Sequence, residues 1–185
     1  MMKRRISSLI SVAILLLATA TTAVTRADPA DITLSQDQLD TIRTNCTEAE
    51  GQLQRVQRAD AVSRTNRGRA YDATLQLMAA FNSRVAINKV SAPKLAENTT
   101  ALQAKFEQFY NDFTRYDSSM TSTTRVKCQD QPAVFYATLT QTRGLRVQLA
   151  NDIRDMDKLI DEYTAAVAEL KTTVLKDATP TGTPQ

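Results

Sequence analysis

The chain has 185 residues, with 23 Lys and Arg, 20 Asp and Glu, two Cys, and neither His nor Trp. Without histidine it lacks the commonest general base and metal ligand, and two cysteines alone do not complete a zinc shell. Four of the basic residues, Lys3, Arg4, Arg5 and Arg26, precede Asp28 and leave 19 against the 20 acids, so the basic balance is local and gives no support for nucleic-acid binding.

Residues 1–27 read as an export signal: a charged start, an apolar run from Leu9 to Ala18, and small residues with cleavage points after Ala20 or Ala27. If it is retained, Ile6 to Val24 becomes a membrane anchor instead. Export puts Cys46 and Cys128 where disulfides persist, in the periplasm, the cell envelope or the extracellular space. Residues 28–34 form a short polar lead.

Ser35 with Gln38 three residues later predicts a capping box and the start of a first helix over residues 35–88. Leu39, Ile42, Cys46, Ala49, Leu53 and Val56 keep a four-three spacing, the mark of one buried face. From Arg58 to Arg69 the face is arginine, alanine and polar residues, after which Tyr71, Leu75, Met78, Phe81 and Val85 resume it. Asn88 to Pro93 predicts a turn, with Ser91 or Ala92 before a proline at the first helical position.

A second helix is expected over residues 93–121. Its stripe runs through Leu95, Thr99, Leu102, Phe106, Phe109, Phe113, Tyr116 and Met120, apolar except at Thr99. Ser and Thr dominate from Ser118 to Thr124 and predict fraying. Asp130 is a suitable cap for a third helix over residues 132–176, whose stripe includes Leu149, Ile153, Met156, Ile160 and Tyr163. Residues 178–185 read as a flexible tail.

The midpoint of Cys46 and Cys128 is residue 87, one helical turn from the expected turn, so an antiparallel hairpin brings the two cysteines together. The same symmetry sets Phe106 opposite Gly68, Phe109 opposite Thr65 and Phe113 opposite Ala61, and places Gly144 and Leu145 of the third helix in the same layer. The expected fold is all-α: an elongated antiparallel three-helix bundle, or a coiled-coil-like hairpin plus a third helix, in one domain over residues 35–177. Its core is Leu102, Phe106, Phe109, Phe113, Tyr116, Met120, Leu149, Ile153, Met156, Ile160 and Tyr163.

Arginine is the sharpest local feature. Arg64 and Arg67 on the first helix and Arg143 and Arg146 on the third, with Arg115 as a further member, form a candidate anion-binding band, because guanidinium forks match carboxylates and phosphates. Pairing along a helix, Asp60 with Arg64 and Asp112 with Arg115, is the competing account. The acids Asp152, Asp155, Asp157, Asp161 and Glu162 read as a solvated face balanced by Lys158. Asn45-Cys46-Thr47 and Asn98-Thr99-Thr100 match the glycosylation triplet.

No nucleophile with a base, phosphate loop or nucleotide fingerprint is present in the sequence, so no enzyme, cofactor or metal is expected. The expected function is an exported structural or protein-interaction module. The alternatives are a chaperone-like protein holding an apolar client and a protein binding anionic ligands at the arginine band. A protein partner or a second copy is the expected occupant of any apolar face left open; a membrane enters only through a retained leader.

Overall fold

The computed structural model describes residues 33–177. Among them lie four helices, α1 (Gln36–Thr44), α2 (Cys46–Ile87), α3 (Pro93–Arg125) and α4 (Pro132–Asp177). The leader at 1–27, residues 28–32 of the lead and the tail at 178–185 lie outside the described residues. No described helix is long and apolar enough to cross a membrane.

The expected three-helix rod is therefore corrected to a compact four-helix bundle. The 35–88 helix is two helices, because Asn45 interrupts it: its side-chain amide donates to the Thr41 carbonyl at 2.9 Å, closing α1 locally, and Cys46 starts α2. Nor is the packing a coiled-coil seam. α3 packs closely along both α2 and α4, whereas among the described residues no Cα of α2 comes within 8 Å of a Cα of α4.

Local chemistry sets the helix ends. The Ser35 hydroxyl accepts from the Gln38 amide at 3.3 Å while the Gln38 side chain accepts from the Ser35 amide at 2.8 Å, the expected capping box. After α2, Lys89 adopts φ 56°; its amide donates to the Ala86 carbonyl at 2.9 Å, and the Val90 amide donates to Val85 at 3.1 Å. This is the paired closure of a Schellman motif, with lysine where glycine is usual. α3 then starts at Pro93 behind Ala92.

Two expectations about helix ends are overturned. α3 does not fray at 121 but runs to Arg125, because the hydroxyls of Ser119 and Thr123 meet Thr142 of α4 at 2.7 and 2.9 Å. Thr123 and Thr142 are buried, so tertiary packing overrides the reluctance of Ser and Thr to stay helical. At α4 the residue before Pro132 is Gln131, whose carbonyl accepts from the Phe135 amide at 3.0 Å, so Gln131 rather than Asp130 holds the cap position.

The core lies along α3. Leu95, Leu102, Phe106, Phe109, Phe113, Tyr116 and Met120 are all buried, as are Leu149, Met156 and Tyr163 of α4, with Ile153 and Ile160 packed at its edge. The polar gap in the α3 stripe has a partner: Thr99 accepts from the Asn82 amide at 2.9 Å, and the Asn82 carbonyl accepts from the Tyr163 hydroxyl at 2.8 Å. A smaller core surrounds the Cys46–Cys128 disulfide, with Phe135 buried beside it and a Cα–Cα distance of 5.6 Å.

Register differs from the cysteine-derived one. Phe106 meets Tyr71, ring centroids 6.0 Å apart, and it is the Tyr110 hydroxyl that lies 2.7 Å from where a Gly68 Cβ would stand. Along α3 and α4, Gln148 donates to Asp112 at 2.6 Å and Lys105 pairs with Asp155 at 3.0 Å, which moves α4 by about one turn relative to expectation. Gly144 consequently faces open space, not the phenylalanine layer. The cause is the longer α3, which displaces the second turn toward residue 130.

Candidate functional site

Because the α2 and α4 backbones lie further from each other than either does from α3, long side chains bridge them. Arg146 reaches Asp60, Tyr71 donates to Asp157 at 2.8 Å, and Tyr163 reaches Asn82. The bridging positions rise together in number, so α2 and α4 run parallel. Between these bridges the helices leave a groove of about 460 Å³, a size suited to a ligand site.

All four candidate arginines, Arg64, Arg67, Arg143 and Arg146, line this groove, and Phe109, Phe113, Leu149 and Ile153 make its floor. Among the described residues Asp60 is the one acidic residue in this lining. Arg115, the further member of the expected band, pairs with Asp112 instead and is not part of the lining.

Each arginine sits in a different environment. Arg146 forms a two-pronged contact with Asp60, Nε to Oδ2 at 2.8 Å and Nη2 to Oδ1 at 3.0 Å, and Tyr116 donates to the same carboxylate at 2.5 Å. Burial alone would raise the Asp60 pKa; the Arg146 and Tyr116 hydrogen bonds outweigh it and hold the carboxyl below its ordinary value. Tyr116 is pushed up, first by burial and then by Asp60.

Arg64 does not use Asp60 at all. Its guanidinium lies 4.9 Å from the Phe113 ring centroid and 5.4 Å from that of Tyr110, a stacked position that leaves donors for another acceptor. Arg67 lies beside Tyr71, whose hydroxyl is pushed up to about 12 by burial and Asp157 and partly restored by that arginine. Among the described residues Arg143 has no hydrogen-bond or ion-pair partner.

A second chamber of about 430 Å³ continues the groove toward the disulfide, floored by Leu53, Val56, Met120 and Leu139. Arg143 and Arg146 border both chambers. At the far end Glu50 stands 3.6 Å from the sulfurs of Cys46 and Cys128, but those sulfurs are joined to each other and offer no thiolate to a metal.

The acidic run on α4 is only partly the solvated face expected. Lys158 pairs with Glu162 at 3.6 Å, whereas Asp152 is buried against Asp112 of α3. Gln108 donates to Asp152 at 3.3 Å and Gln148 donates to Asp112 at 2.6 Å, a reciprocal exchange between antiparallel helices. The signal was available as a repeat: Gln108-Phe109-Tyr110-Asn111-Asp112 matches Gln148-Leu149-Ala150-Asn151-Asp152 at the first, fourth and fifth positions. Asp152 Oδ2 is buried without a hydrogen-bond donor, and burial together with Asp112 raises this carboxyl to about 6. No family model, curated protein or solved structure matches this chain, so what the groove can bind is decided by its own residues.

Proposed function

We propose that this chain is an exported, non-catalytic binding module whose groove between α2 and α4 takes an anionic ligand with an apolar body. One observation carries the reading: arginines from two helices distant in sequence converge above an apolar floor, opposed by a single carboxylate. The arginine forks grip a carboxylate or phosphate while the floor takes the apolar part. Export is supported by the signal-like start and by the Cys46–Cys128 disulfide, which belongs to an oxidising compartment.

Octanoate and octyl phosphate test this against neutral octanol, with binding followed by calorimetry or by amide shifts. The anions bind, more weakly as salt rises, and octanol binds at least about tenfold more weakly. Replacing Arg64 and Arg143 together by alanine removes the anion preference and leaves the helical signal intact. Asp60→Asn frees Arg146 from its internal anion and tightens octanoate binding by about threefold or more. Equal affinity for octanol and octanoate overturns the proposal.

A further inference from the structure

The two chambers make one interrupted trough: they meet at Arg143 and Arg146, where the Asp60–Arg146 pair crosses from α2 to α4. On α2 its border recurs at three- and four-residue steps, through Ala49, Gln52, Val56, Asp60, Ser63 and Arg67, so one helix face flanks it throughout. From Asn45, the residue before α2, to Arg67 the border is about 33 Å long, and from Leu139 to Ile153 the α4 border is about 21 Å. Such a length exceeds what a small anion occupies.

Position within the bundle says more about the occupant. Two parallel helices held apart on a common third helix leave a seat of the kind that a further helix fills in a bundle. The floor is apolar on either side of the Asp60–Arg146 pair; arginines stand on both rims of the first chamber, while in the second Arg143 and Arg146 on α4 face Glu48 and Gln52 on α2. Asp60 is level with Arg146, so Arg64 and Arg67 stand one and two turns further along the opposite rim. Acids on both flanks of one apolar stripe would meet these arginines in turn.

We infer that the occupant is an amphipathic α-helix of a partner protein, about 14 to 22 residues long, with an apolar stripe bordered by Asp and Glu. This rests on the anion-binding reading of the groove and names its ligand class. The helix lays its stripe over the half-buried Leu53, Val56 and Ile153, and its acids reach Arg64, Arg67, Arg143 and Arg146. Val147 is 61 % exposed on the α4 rim and supplies apolar contact there.

The test titrates the disulfide-bonded full chain with a labelled, staple-stabilised peptide of about 20 residues carrying a leucine stripe flanked by glutamates. Two controls have the same composition in scrambled order and lysines in place of the glutamates. The acidic amphipathic peptide binds at least about tenfold more tightly than either control. Val147→Asp, at an exposed site that leaves the helical signal unchanged, abolishes the preference, and so does the Arg64→Ala, Arg143→Ala pair. If octanoate occupies the groove but the acidic peptide binds no better than the scrambled one, the helix is wrong and the anion groove stands. If neither octanoate nor peptide binds, both fall. If sedimentation shows self-association that Val147→Asp reverses, a second copy is the occupant and the inference is overturned.

Discussion

Asp152 and Asp60 show how two carboxylates on the same scaffold acquire opposite pH behaviour. Asp152 faces Asp112 and Gln108 of α3, with Lys105 and Asp155 nearby and Arg115 holding Asp112 from its other side. Its folded pKa, about 6, is above that of an unfolded aspartate, so its contribution is fully present below about pH 4 and is lost as pH rises through 6. Asp60 is lowered, and its contribution holds above about pH 4 and is lost on acidification through its folded pKa. The two windows lie on opposite sides of that point. Urea unfolding at pH 4.5, 6 and 7.5 should therefore show the wild-type chain losing roughly 1–3 kcal/mol across the series, and Asp152→Asn losing much less. Equal slopes for the two proteins would remove the raised Asp152 carboxyl from the account.

At the scale of elements, the helices end where local chemistry or packing tells them to, and the two causes separate cleanly. The α2 end is local: Lys89 takes the left-handed position that glycine occupies at lower cost. Lys89→Gly is expected to stabilise the chain by about 0.5–1 kcal/mol and to leave octanoate binding unchanged, as read from urea midpoints and calorimetry. The α3 end is not local. Its Ser and Thr residues are poor helix formers read singly, and only Thr142, on a different helix, explains why Ser119 and Thr123 remain helical. The α3 stripe was legible because apolar spacing is a property of one helix, and even its exception at Thr99 marked a hydrogen bond to Asn82. The pairing of Phe106 with Tyr71 was not legible, since a shift of one turn preserves every stripe while changing every partner.

For the whole molecule, the disulfide ties α1 and the start of α2 to the segment between α3 and α4, closing a loop between positions 82 residues apart. The Cys46→Ser, Cys128→Ser variant is expected to lose about 4 kcal/mol, with hydrogen exchange rising first in α1 and around Phe135 and last at Leu102 and Met156. Uniform exchange across α3 would contradict the separation into a main core and a smaller disulfide-end core. What the amino-acid order determined by itself was local or symmetric: which faces are apolar, the Ser35 cap, the Pro93 start, the partnership of the two cysteines, and four arginines at comparable heights. Only the tertiary structure decided that α3 runs on to Arg125, that α2 and α4 stand apart on α3, and that Asp152 is buried. Those outcomes depend on loop paths and on side-chain volumes meeting from distant parts of the chain, and the groove that gathers Arg64, Arg67, Arg143 and Arg146 exists because α2 and α4 are held apart.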